Sequence, residues 1–480
     1  MPSSGLGAYQ VKIHQIVFGG LFFLVVLMGV RAMMAGGVGN LRLLAALSVS
    51  VGVILALDKY YWVLGPLFFT SELRMPGLPF NGMELGCIVL ISVYFVRQAM
   101  HKEHPMKLTG AILAALPIFC WICMIWMINP TGMAMLGSSR IGARFYFQIL
   151  LGFGAFLVLS SLRLSERDCR ILFYVLLGSA LYSFGQTVFL ERIADWASGS
   201  DRDNELMSRY ELLGALSFYT LLFSRYRLSQ ISTSLWKLLA AVGLAGVSIY
   251  TGKRRAFGTL VVVPYLRCFF TGRDKMLTVA WSVVGAVLLM FAIAGHGTFY
   301  ELPLSAQRAL AVIVPSFAEK TAGGLHDYFR EEVRRYGNEV IRSSPWVGRK
   351  GFSMDRGETS WIVFSGVGDL YSGHAYTGNW HSVWYAYACD FGLPAMFFWA
   401  CFVLYAAVWT YRGFRTVVFG TYANTVYIYY AFALFLSLVF SYTSGHSAHT
   451  ACGTWIAVGM LYAIQNGAEK KQSPVVLESA

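Results

Sequence analysis

The sequence predicts an all-α, polytopic integral membrane protein, and three observations carry that prediction. Of its 480 residues, 56% are hydrophobic and only 13% charged, at a mean hydropathy of +0.56. Uncharged apolar runs of helical-span length recur along the chain, and the basic residues fall in the connections between them. Such a composition excludes an ordinary soluble domain.

A bilayer crossing takes about 20 apolar residues. The runs are Ile13 to Val30, Leu43 to Leu57, Leu85 to Val96, Leu108 to Met127, Phe145 to Leu162 and Ile171 to Leu190. They continue with Leu212 to Ser224, Leu238 to Gly252, Ala256 to Leu266, Met276 to Ile293 and Phe391 to Tyr411. Thr416 to Ala468 is long enough for two spans, split by a polar patch at Ser441 to Thr450. With flanking residues added to the shorter runs, the chain holds roughly 12 or 13 spans. Three regions follow: an N-terminal transmembrane bundle over 1–294, an extramembrane segment with an amphipathic helix over 295–380, and C-terminal spans with a short tail over 381–480.

Loop charge gives the orientation. Arg97, Lys102 and Lys107 mark one basic loop, Arg163, Arg167 and Arg170 the next, then Arg225, Arg227 and Lys237. Arg267, Arg273 and Lys275 follow, then Arg412 and Arg415, then Lys470 and Lys471. These fit one cytoplasmic side. The loops between them then face the other compartment: Asp58 to Glu84, Asn129 to Arg144, Glu191 to Glu211, the Lys253 region and Gly295 to Trp380. Arg31 and Arg42 put the N-terminus outside, and a further span near Tyr60 to Phe69 reverses that assignment. Because the net charge of +13 is spread over these loops, no nucleic-acid partner is expected. Cys87, Cys120, Cys123, Cys268, Cys389, Cys401 and Cys452 lie in or beside apolar runs and read as packing residues. No cleavable signal peptide is read at the start, since Lys12 precedes the first run and no clear small-residue site follows.

Against this pattern Lys253, Arg254 and Arg255 stand out, because they sit between two apolar runs on the outer side. Cations at membrane depth are costly unless something anionic meets them, and a positive outer loop runs against the charge rule. An anionic ligand explains both. Adjacent residues of a helix point about 100° apart, so only one of Arg254 and Arg255 is central to such a site and Lys253 is peripheral.

In the long outer segment, Leu325, Tyr328, Phe329, Val333, Tyr336, Val340 and Ile341 recur at three- and four-residue steps. Arg330, Arg334, Arg335 and Arg342 take other faces with Glu331 and Glu332. The spacing predicts an amphipathic helix that lies on the membrane, roofs a cavity, or packs the outer segment. Pro345-Trp346-Val347-Gly348 predicts a turn, and Gly366 to Gly378 a loop. Tyr371, Tyr376, Trp380 and Trp384 either offer aromatic faces to a sugar or form an interfacial belt. His381 stands at the mouth of the next span; a histidine there either serves as general base for a sugar hydroxyl, imidazole being the side chain whose ordinary range lies near neutral pH, or is structural, the commoner role of a lone interfacial His.

The stretch from Gly378 to Pro394 resembles the hallmark of the O-antigen ligase and O-antigen polymerase superfamily of bacterial envelope glycosyltransferases. That hallmark has a His opening a late span, an acid nine positions on, then x-Gly-Leu; here these are His381, Asp390, Gly392 and Leu393. The family usually has Asn after the His and Glu as the acid, where this chain has Ser382 and Asp390. Ser343 to Gly348 is similar to the family's Asn-Pro-x-x-Gly turn, Arg254-Arg255-Ala256 to its Ser-Arg-Gly/Ala step, and Arg209 to its outer Arg. The resemblance covers the C-terminal half, from Arg209 onward.

It implies a GT-C-like membrane fold and a donor glycan linked through diphosphate to undecaprenol on the periplasmic face. Arg254 and Arg255 are then expected on the diphosphate, with Arg209 as a third clamp, since guanidinium groups stabilise a leaving group that gains charge. His381 activates the acceptor hydroxyl, and in-line attack inverts the anomeric centre. Asp369 and Asp390 are single carboxylates, so no metal or other cofactor is expected. Asp390, about two and a half turns below His381 on a similar side of one helix, is expected to cap packing or to pair with a neighbouring span and not to touch substrate. His446 and His449 form an HxxH without a third ligand and are expected to be solvated or to support the acceptor site.

Polymerase, ligase onto lipid A–core and protein oligosaccharyltransferase share this donor. The absence of a large extra C-terminal domain and the chain length favour the polymerase, with the ligase next. A flippase or transporter of the same lipid is the competing class; it needs the cations but no acceptor His, and no internal repeat supports it. The expected partners are the lipid-linked donor, a glycan or lipid A–core acceptor, membrane lipid and envelope polysaccharide assembly proteins.

Overall fold

A computed structural model describes residues 58–63, 82–99, 106, 108–130, 143–185, 213–250, 254–311, 313–314, 316–317, 323–351, 380, 382–440 and 447–469. The chain divides into two compact units, Met1–Lys107 and Leu108–Ala480. Among the described residues every regular element is helical. In the first unit, a 3-10 helix (Asp58–Val63) packs against α1 (Gly82–Ala99), with the Arg97 guanidinium 5.5 Å from the Tyr61 ring. The 3-10 helix covers the start of the further span considered near Tyr60, and residues 64–69 lie outside the described residues.

The second unit holds α2 (Gly110–Ile128), α3 (Ala143–Ser161), α4 (Glu166–Gly185), α5 (Leu213–Arg225), the short α6 (Leu228–Ser232) and α7 (Leu235–Tyr250). It continues with α8 (Arg254–Thr271), α9 (Lys275–Gly295), α10 (Leu304–Leu310), α11 (Gly323–Ser343), α12 (Val383–Phe391), α13 (Leu393–Thr416), α14 (Thr421–Phe440) and α15 (Ser447–Glu469). Four of these, α2, α9, α13 and α14, are long and apolar enough to cross a membrane; α3, α7 and α8 are apolar over shorter lengths. On α9, Met276, Leu288 and Phe291 are 84%, 63% and 72% exposed. That much bare apolar surface on one helix is unfavourable in water and ordinary against lipid.

The densest packing joins α3 and α15, which run parallel although about 300 residues separate them. Glycines permit the approach. A β-carbon on Gly152 would stand 2.7 Å from Cys452 Sγ, and one on Gly459 2.8 Å from Leu159 Cβ. Below them, Leu164 N–H donates to the Ala463 carbonyl at 2.9 Å, and Asn466 Nδ2 donates to the Ser160 and Leu162 carbonyls. On the other flank α13 runs alongside α15, with Trp399 and Trp455 edge to face and Trp409 stacked on Tyr462 at 3.6 Å.

Contacts along the bundle fix which helix ends lie together. Gly110 at the start of α2 meets Tyr405, while Asn129 just past its end meets Lys350. Gly214 packs on Phe184 at one end of the α4–α5 pair, and Arg225 Nη1 reaches Thr421 at the other. Gly258, near the start of α8, meets the Phe440 ring at the end of α14. The α3–α4, α5–α7, α8–α9 and α13–α14 connections therefore share one end, which carries Arg163, Arg167, Arg225, Arg227, Arg273 and Arg415. The opposite end collects the starts of α8, α12 and α15 and the turn after α11.

Two boundaries depart from the expected ones. The triplet does not sit wholly between helices: Arg254 and Arg255 form the first turn of α8. The run expected from Phe391 to Tyr411 breaks at Gly392, where φ is +88° and a β-carbon would lie 2.1 Å from the Trp346 carbonyl oxygen. Pro394, in the first turn of α13, needs no intrahelical N–H partner there, so a new helix starts at once.

The α3–α15 contact makes a testable distinction between glycines. On Gly467 a β-carbon would sit 1.9 Å from the Leu164 carbonyl oxygen, whereas Gly178 in α4 has open space around it. Gly467→Ala should cost about 1–3 kcal/mol through overpacking. Gly178→Ala should be neutral or gain a few tenths of a kcal/mol from helix propensity. Apparent melting temperatures in detergent check both.

Candidate functional site

The site is built on a turn that closes against a helix break. Helix α11 ends at Ser343, and Pro345 prevents its continuation. The chain then doubles back through Gly348, Lys350 and Gly351, all at positive φ. At Gly348 only glycine fits, because a β-carbon would lie 2.4 Å from the Cys389 carbonyl oxygen. Three backbone bonds fasten this turn to the α12–α13 junction. Arg349 N–H donates to the Cys389 carbonyl at 2.8 Å, Gly351 N–H to the Asp390 carbonyl at 2.6 Å, and Leu393 N–H to the Pro345 carbonyl at 2.8 Å.

At the centre lies Asp390, which has no exposed surface. Arg349 Nε is 2.8 Å from its Oδ1, an ionic contact in which the N–H does not point along the bond. Trp380 Nε1 donates to the same oxygen at 2.9 Å. The guanidinium also lies 5.5 Å from the Trp380 ring centre. An isolated buried carboxylate is too costly to keep ionised, so a cation and a donor are what this position demands.

Helix α11 covers the assembly. Val333 is buried in a cluster with Trp380, Ala386 and Cys389, and Tyr336, Val340, Ile341 and Tyr385 pack around it. Tyr336 lies parallel to the Trp380 ring, 6.0 Å away. The Tyr385 hydroxyl donates to the Arg334 carbonyl, and the Asn338 side-chain amide lies 2.9 Å from the same hydroxyl. The apolar stripe read from the sequence is therefore engaged along this half of the helix, while Arg334, Arg335 and Arg342 are exposed. From the other side, Trp121 Nε1 of α2 donates to the Phe391 carbonyl at 2.8 Å, and Asn129 Nδ2 to the Lys350 carbonyl at 3.2 Å.

The sequence-predicted residues divide as follows. His381, Lys253, Arg209, Tyr376 and His446 lie outside the described residues. Arg254 and Arg255 open α8 and His449 lies in the first turn of α15, all at the bundle end that carries Asp390. Trp384 is half-buried in the first turn of α12. Trp380, expected on an aromatic face or belt, is instead 1% exposed, because its N–H serves Asp390 and its ring is covered by Tyr336 and Tyr385. Asp390 does pair, with Arg349 of the turn after α11. Ser382 is the N-cap of α12 and accepts from Tyr385 N–H, while the expected register of His381 against Asp390 lies outside the described residues. Arg349 was missed by the sequence reading. The signal was present, since a carboxylate in an apolar run requires a cation, and Arg349 adjoins the Pro-x-x-Gly turn.

Among the described residues, no three His, Cys, Asp or Glu side chains are grouped to hold a metal. None of the eight cysteines is in a disulfide, with Cys120 exposed and Cys123 half-buried. The arrangement fixes the backbone on both sides of position 381 at a bundle end where two arginines start a helix.

Removing one member of the buried pair should be far worse than removing both. Asp390→Ala or Arg349→Met is expected to cost about 3–5 kcal/mol, since each strands a buried charge. The double variant should recover much of that loss. A double-mutant cycle on thermal stability in detergent measures the coupling, and simple additivity would argue against the pair as the centre of this lock. No protein-family model matches the chain, and no curated protein matches it.

Proposed function

We propose that the protein is a glycosyltransferase of the bacterial inner membrane, acting at the periplasmic face on an undecaprenyl-diphosphate-linked glycan. The most basic end of the bundle is then cytoplasmic, and the full chain is a GT-C-like fold of roughly 12 or 13 spans. One observation carries the reading: the Ser344–Gly351 turn and the Trp380–Leu393 stretch, far apart in sequence, are locked together through Arg349 and Asp390. They overlap two of the stretches that resemble the O-antigen ligase and polymerase superfamily, Ser343 to Gly348 and Gly378 to Pro394. The lock supports a preorganised His381, whose neighbours Trp380 and Ser382 are both held.

In this reading the acceptor hydroxyl oxygen attacks the anomeric carbon from the face opposite the diphosphate. The bond between anomeric carbon and diphosphate oxygen breaks, and undecaprenyl diphosphate leaves with the electron pair. His381 accepts the hydroxyl proton. Arg254 and Arg255, at the start of α8, stabilise the charge that develops on the leaving group, with Arg209 and Lys253 in support. Tyr376 and Trp384 line the glycan path. Trp380 holds Asp390 and is a positioning residue. The reaction is inverting and needs no metal. The acceptor is a second lipid-linked glycan, making the protein a polysaccharide polymerase.

Purified protein given a defined undecaprenyl-diphosphate oligosaccharide should produce ladders from that donor alone. Product formed only when lipid A–core is added would make it a ligase, and lipid translocation without transfer a flippase. His381→Ala should lower transfer by about 10²–10⁴-fold. Arg254→Ala or Arg255→Ala, whichever faces the diphosphate, should lower it by about 10²–10³-fold. Full activity in all three variants would place the site elsewhere. Activity should also survive exhaustive EDTA treatment; loss that Mg²⁺ restores would overturn the metal-independent mechanism.

A further inference from the structure

At the opposite, basic end of the bundle lies a cavity of about 330 Å³ lined by Glu166, Arg167, Arg170, Thr421 and Tyr422. The Tyr422 ring organises its cations. The Arg170 guanidinium lies 5.0 Å from the ring centre and that of Arg225 4.7 Å. Arg225 is further fixed by Nη1 donating to the Thr421 carbonyl and the Thr425 hydroxyl, each at 3.2 Å. These contacts hold flexible side chains in place before any ligand arrives.

The carboxylates nearby are committed elsewhere. Glu166 accepts from Tyr422 N–H at 2.7 Å and Ala423 N–H at 3.2 Å, capping α14. Asp168 accepts from Ser165 N–H at 2.9 Å and from its hydroxyl at 2.6 Å. Among the described residues, Arg167, Arg170 and Arg225 form no ion pair. Arg167 and Arg170 line the cavity and Arg225 flanks its Tyr422; against the two carboxylates, which are bound to N–H and hydroxyl groups, the three guanidinium groups leave a net positive charge. The hydroxyls of Thr421 and Tyr422 add donors at the same wall.

Depth selects the ligand. The cavity sits at the first turn of α14, one of the four helices long and apolar enough to cross a membrane. That is the level of lipid headgroups. We infer that this cavity binds a phosphate group, presented by an anionic phospholipid headgroup or as a free phosphate, between Arg167 and Arg170 on the Tyr422 wall, with Arg225 adding positive charge from beside the ring. This site is separate from the proposed glycan-transfer site and does not depend on it.

The test titrates the purified full chain in detergent with phosphatidylglycerol, phosphatidylcholine or inorganic phosphate at constant ionic strength, reading apparent melting temperature. A saturable rise is expected with phosphatidylglycerol and little with phosphatidylcholine. The midpoint should weaken about tenfold in Arg170→Gln and in Arg225→Gln. It should be unchanged in Arg273→Gln, an exposed cation at the same end. A response to inorganic phosphate with the same variant dependence identifies free phosphate as the source and also supports the site. Equal weakening in Arg273→Gln would reduce the effect to diffuse surface charge and overturn the proposal, as would no response to either anionic probe. Should Arg225→Gln fail to fold for want of its Thr421 and Thr425 bonds, exposed Arg170 decides alone: wild-type behaviour of Arg170→Gln refutes the site.

Discussion

A carboxylate with no contact to solvent sets the terms for the end of the bundle where α12 and α15 start. Asp390 ends a short helix, and nothing on that helix can neutralise it. The compensating cation comes from Arg349, about 40 residues earlier, and the second donor from Trp380. Meeting both demands pulls the turn after α11 down onto the α12–α13 junction, where three backbone bonds and two glycines complete the fit. Helix α11 follows the turn and lays Val333 and Tyr336 over α12. A buried ion pair is weak evidence for net stability, because desolvation offsets much of its attraction. Its effect here is on geometry: few other placements of the turn leave Asp390 neutralised.

The same economy of charge operates at the far end with the opposite outcome. There Glu166 is used up on the α14 N-terminus and Asp168 on Ser165, and among the described residues the arginines around Tyr422 form no ion pair. One end of the bundle thus buries its charge in a closed pair, and the other leaves guanidinium groups facing a cavity. The difference suits a rigid frame on one side and ligand-accessible cations on the other.

Much of this was legible in the sequence, and the remainder was not for identifiable reasons. The α2, α9, α13 and α14 spans follow from uninterrupted apolar runs, and α11 from its three- and four-residue steps, because both signals are local. The turn at Pro345 to Gly348 was equally readable from its residues. What composition hides is where a helix breaks within an apolar run. The break at Gly392 depends on the Trp346 carbonyl arriving from another segment, and no local pattern announces that approach. The same holds for Trp380: its residue type suggests an exposed aromatic face, and only the position of Asp390 turns it inward. For Arg349, the need for a cation was visible at Asp390, but not which of many arginines would meet it.

The parallel pairing of α3 with α15 bears on how the molecule is assembled. Among the described helices, α3 packs most extensively on a partner made about 300 residues after it, so this interface cannot form until α15 has been synthesised. Until then the small-residue face of α3, with Gly152 at its middle, lies open to lipid or to other helices. Hairpins such as α4–α5 and α13–α14 can form as they emerge. Until α15 arrives, this face of α3 is open to mispairing or proteolysis in the membrane.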